Sequence, residues 1–364
     1  MKVAIIGTRG IPAKYGGFET FAEECAGRLT ELGYEMSVMG EKKDHESLSS
    51  YKGIKLVYTD LNKTEHPIKY YYRSIKLALK DKNDIIIIAG VGGAIFYFLK
   101  FFRRKSLFIT NTDGIEHIRN KWGRLKRLYI KACETLAVRL SDYLIADSGG
   151  IKDYLLKTYG QRIAGKIVQI EYGSPILTTE NTALLTEYGL EPNQYWLVVS
   201  RLEPENNVEL IVKGYLESNA AYPLVVVGNL SDTTYVKQLQ SYQGKGNIRF
   251  VNGVYNKEKL SALRYFATGY LHGHSVGGTN PSLLEAMGHG NIVVAHDNIF
   301  NREVTAGKMF YFSNEKAVAG HLQHIEQLEP AALSALREIS IERIRNYYNW
   351  ERIAKSYAEL FSKI

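Results

Sequence analysis

The chain has 364 residues, 45% of them hydrophobic, and a formal net charge of +8. This composition excludes a disordered or fibrous protein, and the length suffices for two ordinary domains, each with its own core. The positive charge favours anionic partners such as nucleotides, nucleic acid or an acidic lipid surface. The only two cysteines, Cys25 and Cys133, fall in helix-like segments, which argues against a disulfide framework and fits a reducing cytoplasm.

The amino terminus lacks the pattern of a secretory signal, and no apolar run reaches the roughly 18 to 20 residues that span a bilayer. We therefore expect a cytoplasmic protein, with peripheral association at the inner face of the cell membrane as a further expectation.

Strand-like apolar runs alternate with helix-like segments, which predicts parallel sheets with helices on both faces. The alternation stops in a polar, turn-rich stretch at residues 173–192 and then begins again. We predict an α/β protein of two doubly wound, Rossmann-like domains that face an interdomain cleft, with ligands beyond the carboxyl ends of the strands. The strand-like runs are Lys2 to Ile6, Glu35 to Met39, Ile54 to Tyr58, Asp84 to Ala89, Leu107 to Thr110, Tyr143 to Ala146, Val168 to Tyr172, Tyr195 to Ser200, Leu224 to Gly228, Ile248 to Val251, Tyr270 to Gly273 and Ile292 to Ala295.

The predicted domains cover residues 1–175 and 190–345, and residues 346–364 form a final amphipathic helix. We expect this helix to pack back towards the first domain and to have a structural role. Its apolar stripe, with spacings of three or four, consists of Trp350, Ile353, Tyr357 and Leu360.

A glycine-rich loop separates the first strand-like run from the first helix-like segment. The backbone N–H groups of such a loop, together with the positive end of a helix, can face a phosphate because no Cβ blocks the approach. The spacing differs from a dinucleotide fingerprint, so a sharp strand-to-helix turn is the alternative interpretation. The residues that this loop offers to an anion are Arg9, Lys14, Gly16 and Gly17.

A second glycine loop follows the strand-like run that ends at Gly273. Pro281 suits the first turn of a helix, and Glu285 falls just over one turn inside it. Backbone amides of the loop can hold phosphate oxygens while Glu285 accepts hydrogen bonds from a ribose diol. The pattern predicts a nucleotide site in the second domain. The loop residues are Gly277, Gly278, Thr279 and Asn280.

Three segments, "GIPAKYGGFE", "VVSRLEPENN" and "SVGGTNPSLLEAM", occur in this order in the two halves of the chain. They resemble retaining GT-B glycosyltransferases of the glycogen-synthase-like type, and most closely the rhamnosyltransferase-like branch that builds bacterial surface polysaccharides. The resemblance implies a nucleotide-sugar donor, which is a substrate and not a cofactor. It also implies transfer of a sugar, L-rhamnose from dTDP-rhamnose, to a lipid-linked saccharide.

The resemblance makes Gly16 and Gly17 the donor-side phosphate loop, Arg201 a diphosphate ligand and Glu285 the ribose-binding glutamate. Two positions depart from the family pattern. The acidic residue usual eight positions before the ribose glutamate is Gly277 here, and the lysine usual after the arginine motif is Asn206. Since asparagine donates hydrogen bonds without a charge, the arginine and backbone amides would have to neutralise more of the leaving diphosphate.

The loop after the strand-like run at Leu107 to Thr110 holds Asp113, Glu116 and His117. Ionisable groups at a strand end are placed for acid, base or acceptor-orienting chemistry, and Asp113 is the leading candidate. The alternative is a plain turn at Asp113 and a solvated His117. No Asp-x-Asp stretch or His/Cys cluster indicates a metal site, so we predict a metal-independent reaction.

The segment after Trp122 predicts a long helix with one buried apolar stripe and a solvated basic face. The stripe consists of Leu125, Leu128, Tyr129, Ala132, Leu136 and Leu140, and the basic residues are Arg124, Lys126, Arg127 and Lys131. With the segment from Phe96 to Lys105, these charges are expected to form one basic and aromatic surface that docks on anionic lipid.

Two alternatives to a transferase remain open. A sugar-nucleotide epimerase of similar architecture would need an acid/base pair around the sugar, and a non-catalytic nucleotide-binding partner of a transferase would bind without turnover. The basic residues are dispersed and no recognition motif accompanies them, so we expect no nucleic-acid partner.

Overall fold

The computed structural model describes residues 1–14, 16–41, 48–103, 105–112, 114–119 and 122–364. The chain forms two compact units. The first consists of Met1–Tyr172 together with Trp350–Ile364, and the second is Gly173–Asn349.

The first unit is built on a sheet that is parallel throughout except for one antiparallel edge strand. The strands are β1 Lys2–Ile6, β2 Glu35–Glu41, β3 Ser50–Tyr51, β4 Ile54–Thr59, β5 Ile85–Ala89, β6 Leu107–Asn111, β7 Tyr143–Ala146 and β8 Ile167–Gln169. Their order in the sheet is β3-β4-β2-β1-β5-β6-β7-β8. The five residues of β5 are all buried and apolar, as expected for a parallel strand that is covered on both faces.

Helices cover both faces of this sheet. They are α1 Gly17–Glu31, α2 Pro67–Lys80, α3 Arg124–Leu140, α4 Gly149–Tyr159 and the C-terminal helix Trp350–Ser362, with 3₁₀ segments at Ala94–Phe102, Glu116–Ile118 and Gln161–Lys166. One apolar cluster joins the sheet to α1 and the C-terminal helix, and another joins it to α2, α3 and the first 3₁₀ segment. The predicted stripe of the C-terminal helix is confirmed, since its four members are at most 5% exposed.

The second unit contains a wholly parallel sheet with the order β11-β10-β9-β12-β13-β14. The strands are β9 Trp196–Val199, β10 Leu224–Val227, β11 Ile248–Val251, β12 Gly269–His272, β13 Val293–His296 and β14 Phe310–Phe312. The helices are α5 Val208–Ser218, α6 Thr234–Gln240, α7 Lys257–Tyr265, α8 Pro281–Gly288, α9 Ile299–Thr305, α10 Glu315–Glu326 and α11 Pro330–Tyr347, with 3₁₀ segments at Thr182–Tyr188, Pro204–Asn206 and Lys245–Asn247.

Each strand-like run of the sequence forms a strand, although the bounds shift by a few residues. Sequence analysis did not predict the strands at Ser50–Tyr51 and Phe310–Phe312. Both are too short for an apolar pattern to stand out. Within the described ranges, no helix is both long and apolar enough to cross a membrane.

The predicted buried stripe of α3 is wrong for Leu125, Leu128 and Ala132, which are exposed; its other members, Tyr129, Leu136 and Leu140, are partly buried. Leu125 is 85% exposed and Leu128 is 67% exposed. The face that packs on the sheet consists of Ile130, Cys133, Glu134, Ala137 and Val138. At about 100° per residue this face lies opposite Leu125 and Leu128. A helix with apolar residues on two sides has two possible buried faces, and contact with the sheet selects one of them.

The expectation of a single aromatic and basic surface stays a prediction. Lys100, near the end of the Ala94–Phe102 segment, donates a hydrogen bond from Nζ to the carbonyl of Leu140 in the last turn of α3. The exposed Phe101 and Phe102 follow Lys100, whereas Leu128 lies about 18 Å of helix rise before Leu140. Phe101 and Phe102 therefore lie towards the carboxyl end of α3, whereas the exposed leucines lie near its start.

Candidate functional site

The glycine loop after β1 is held in shape by carboxylates of α1. The Arg9 amide donates to Glu19 Oε1 and the Ala13 amide donates to Glu23 Oε2, each at 2.7 Å. Both carboxylates are buried. Two of the loop's N–H groups are therefore occupied within the protein.

The start of α1 and two basic side chains of this loop are further groups that can meet an anion. Gly16 precedes the helix with a φ of +105°, and a Cβ there would lie 2.2 Å from the carboxylate of Glu19. Gly17 is the first helical residue, so its amide belongs to the end of a helix that lacks intrahelical acceptors. Lys14 is exposed, and Arg9 donates from its guanidinium to Thr64 Oγ1 at 2.9 Å.

The ionisable loop after β6 lies at the same carboxyl edge of the sheet. Asp113, the leading catalytic candidate, lies outside the described residues. Glu116 accepts a hydrogen bond from Trp122 Nε1 at 2.9 Å and forms an ion pair with Arg119 at 2.6 Å. These contacts give Glu116 a role in holding the loop together.

His117 lies beside a buried carboxylate that the sequence analysis did not single out. Its Nδ1 is 3.1 Å from Oε2 of Glu134 in α3. The other oxygen of Glu134 accepts hydrogen bonds from Lys131 Nζ, Tyr154 OH and Tyr159 OH at 2.7, 2.7 and 2.6 Å. Burial raises the pKa of Glu134, but the hydrogen bonds from the lysine and the two tyrosines bring that pKa below its usual range.

The ionised Glu134 fixes the protonation pattern of His117. An ionised carboxylate only accepts hydrogen bonds, so the proton on the neutral His117 ring resides on Nδ1, and Nε2 is the acceptor. The His117 side chain is 17% exposed. The arrangement can accept a proton, or a hydrogen bond from a hydroxyl group, at Nε2.

In the second unit, the loop after β9 carries Arg201 and Asn206. The Arg201 side chain is 45% exposed, with Nη1 3.6 Å from Glu203 Oε1. Asn206 is buried, and its side-chain amide donates to the carbonyl of Arg201 at 2.7 Å. Asn206 therefore fixes the backbone of the loop, and Arg201 presents the charge.

The second glycine loop leads directly into α8. Gly277 has a φ of +129°, a conformation that a side chain rarely permits. Gly278 is partly exposed, Thr279 is buried, and Asn280 caps α8 by accepting a hydrogen bond from the Ser282 amide at 3.0 Å. The loop therefore ends at a well-formed helix N-terminus, which favours an anion.

Glu285, in the second turn of α8, is positioned by an arginine from another helix. Its Oε2 is 2.5 Å from Nη2 of Arg264, in the last turn of α7. The Arg264 side chain is only 7% exposed, whereas that of Glu285 is 33% exposed. One side of the carboxylate is therefore fixed by a buried cation while the residue still reaches solvent beside the glycine loop.

Several buried polar atoms at this edge have no hydrogen-bond partner among the described residues. They include both carboxylate oxygens of Glu205 and both ring nitrogens of His272. The Glu205 carbonyl accepts hydrogen bonds from the backbone and hydroxyl of Ser275, which joins the two loops. A buried carboxylate without a donor is costly, so Glu205 is an uncompensated polar group beneath these two loops.

The buried His272 predicts a pH dependence of stability. Burial lowers the pKa of His272 to about 3, with a smaller contribution from His296. The unfolded chain therefore binds this proton first as the pH falls, and the stabilisation present above the ordinary histidine pKa is lost in acid. From pH 7 to pH 5 this residue alone should lower the free energy of unfolding by about 2 kcal/mol.

Urea unfolding at a series of pH values measures this effect. The variant His272→Gln should not show this loss of unfolding free energy between pH 7 and pH 5. The variant of the exposed His324, His324→Gln, should show it as the wild type does. An unchanged pH dependence in His272→Gln would contradict the assignment.

Glu134, Arg264 and Glu205 were missed by sequence reasoning. Glu134 and Arg264 are single charges in otherwise ordinary helices, far along the chain from the residues they hold. Glu205 lies within the quoted segment "VVSRLEPENN", but its burial depends on the neighbouring loop.

Comparison with known proteins shows two matching families. Residues 1–175 match a family described as "Domain of unknown function (DUF1972)", and residues 187–347 match "Glycosyl transferases group 1". An uncharacterized glycosyltransferase of Methanocaldococcus jannaschii, MJ1069, is 24% identical over 75% of this chain and 71% of its own length.

Solved structures resemble the whole chain. Sucrose-phosphate synthase from Thermosynechococcus elongatus has a TM-score of 0.81 at 16% identity, covering 100% of this chain and 98% of its own. HepE of Anabaena in complex with UDP-glucose has a TM-score of 0.78 at 14% identity, covering 100% of both chains.

These likenesses and the two Rossmann-like parallel sheets define an α/β protein of the GT-B fold. The match over residues 187–347 and the curated relative support the activity of a group 1 glycosyltransferase.

Proposed function

We propose that the protein transfers L-rhamnose from dTDP-rhamnose to a lipid-linked saccharide, with retention of configuration, as a step in bacterial surface polysaccharide synthesis. The observation that carries the assignment of a nucleotide donor is Glu285, fixed by Arg264 and partly exposed beside the helix N-terminus of α8. A carboxylate suits a hydroxyl of the nucleoside sugar, of which the 2-deoxyribose of dTDP offers one, and the helix end suits a phosphate.

The remaining residues have complementary roles in this proposal. Arg201 and the amides from Gly278 to Asn280 stabilise the charge that grows on the leaving diphosphate. Gly277, where related enzymes carry an acid, leaves the sugar one hydroxyl acceptor fewer, which suits a deoxysugar. Glu205 is a nearby carboxylate whose oxygens have no hydrogen-bond donor among the described residues.

The chemistry needs no enzyme nucleophile. The acceptor oxygen forms a bond to the anomeric carbon while the bond from that carbon to the phosphate oxygen breaks, and the electron pair stays on the diphosphate. The departing phosphate oxygen takes the acceptor proton. The protein contributes alignment and charge stabilisation. In the first unit, His117 Nε2 and Lys14 are the groups that we assign to orientation of the acceptor and the diphosphate.

Release of nucleotide from a panel of dTDP-, UDP- and GDP-sugars, with and without lipid-linked saccharide extracts, tests the proposal. We expect release from dTDP-rhamnose that depends on the acceptor and persists in EDTA. Analysis of the product's anomeric configuration tests retention.

Other outcomes identify the alternatives. Acceptor-dependent release with a different donor would support the transferase activity but assign it another sugar. Conversion of the donor without any acceptor would indicate an epimerase. Binding without turnover under every condition would favour a non-catalytic partner, an interpretation that draws on Gly277 and on Asn206, whose amide is engaged with the Arg201 carbonyl.

A further inference from the structure

The first two turns of α3 and the short helix before it expose large apolar side chains. Leu125 is 85% exposed, Leu128 is 67% exposed and Ile118 is 45% exposed. Leu125 and Leu128 are three residues apart and so lie on one face of the helix. Exposed leucines at adjacent positions are unusual on a protein surface that faces only water.

Basic side chains surround these apolar residues. Arg124 and Lys126 flank Leu125, and Lys126 Nζ lies 3.3 Å from the centre of the Trp122 ring. Arg127 donates to the carbonyls of Ile118 and Arg119, which ties the short helix to α3. The apolar and basic groups therefore belong to one surface, which these contacts hold in place.

Negative charge is scarce on this surface. Within residues 114–119 and 122–131 the only acid is Glu116, and it is paired with Arg119. Glu134, one turn further along, is buried and has its own partners. The surface therefore combines a net positive charge with exposed leucines.

The surface also lies at the functional edge of the first unit. α3 follows β6, so its first turn lies near the carboxyl end of that strand, where His117 and the glycine loop lie. A partner bound to the first turns of α3 is therefore close to the residues assigned to the acceptor.

We propose that this surface, which we call the α3 surface and which comprises Ile118, Arg124, Leu125, Lys126 and Leu128, docks on an anionic phospholipid bilayer. The leucines enter the boundary between headgroups and acyl chains, and the cations bind the lipid phosphates. Docking would bring a lipid-linked acceptor to the carboxyl edge of β6, and only this consequence rests on the proposed function.

Co-sedimentation of the full chain with vesicles of phosphatidylcholine and phosphatidylglycerol at 3:1 tests the docking. We expect binding that weakens as salt is raised and is much weaker with phosphatidylcholine alone. The double variant Leu125→Ser/Leu128→Ser should reduce the partition coefficient about tenfold or more. Arg124→Gln and Lys126→Gln should each reduce it about fivefold.

Leu32→Ser is the matched control, since Leu32 is 50% exposed at the carboxyl end of α1 and should bind vesicles as the wild type does. Phe102→Ser tests the other end of α3 and should also have little effect. The proposal is overturned if the wild type does not bind the anionic vesicles, or if the leucine variant binds them equally well. A surface that instead mediates self-association would lower the oligomeric mass of the leucine variant without affecting vesicle binding.

The test also separates docking from transfer. Release of nucleotide with a detergent-solubilised acceptor should be unchanged in the leucine variant, because neither leucine contacts the catalytic groups. If the leucine variant no longer binds vesicles but still releases nucleotide, the leucines serve membrane docking and not catalysis. If the wild type binds vesicles but releases no nucleotide, the docking proposal is supported and the proposed transferase activity is contradicted.

Discussion

Replacing Glu285 by glutamine is expected to lower kcat/KM for the nucleotide-sugar donor about 100-fold, because a neutral amide accepts a weaker hydrogen bond from a hydroxyl of the nucleoside sugar than a carboxylate does. The loss should appear in donor binding as well as in turnover, since the ribose is bound before and during the reaction. Steady-state kinetics and calorimetric binding of the nucleoside diphosphate measure both. Unchanged binding of the nucleotide by Glu285→Gln would contradict the ribose assignment.

The same substitution leaves Arg264 buried without an anion, which should lower the free energy of unfolding by about 3 kcal/mol. The double variant Arg264→Met/Glu285→Gln separates the two effects, because it removes the buried cation as well. We expect it to recover most of the stability and none of the activity. Recovery of activity along with stability would show that Glu285 acts only through the fold.

Replacing Glu134 by glutamine is expected to lower the free energy of unfolding by about 3 kcal/mol, because charge-assisted hydrogen bonds from a lysine, two tyrosines and a histidine converge on this buried group. The folded pKa of Glu134 lies below the ordinary value, so its contribution is present above that value and is lost as the pH falls through the folded pKa. Glutamine should therefore remove this acid-sensitive part of the stability curve.

The exposed pair of Glu351 and Arg28, at 3.0 Å, provides the matched control. Glu351→Gln should cost less than about 1 kcal/mol, because exposed ion pairs contribute little. Equal losses in the two variants would refute the buried network as a major source of stability.

Kinetics separate positioning from stability at His117. If Glu134 orients His117 towards the acceptor, Glu134→Gln and His117→Asn should lower kcat to a similar extent at a temperature where both are folded. If the His117→Asn variant has the kcat of the wild type, the assignment of His117 to the acceptor site is wrong.

The amino-acid sequence by itself determined the two-sheet architecture and the location of both glycine loops. Apolar runs such as Ile85–Ala89 can be stable only inside a parallel sheet that is covered on both faces, so their alternation with helices leaves few architectures. At α8 the helix-start residues alone were enough to predict the structure. Asn280 and Pro281 begin the helix and thereby place Glu285 in its second turn.

Only the tertiary structure decided which face of α3 is buried and which charges hold the candidate site residues. α3 has apolar residues on two sides, and the free energy of packing on the sheet selected the side of Ile130 over that of Leu125. Arg264 and Glu134 hold Glu285 and His117 across 21 and 17 positions of sequence. Such pairs depend on where helices cross. The spacing of residues within one segment cannot predict a contact between two helices or between a loop and a helix.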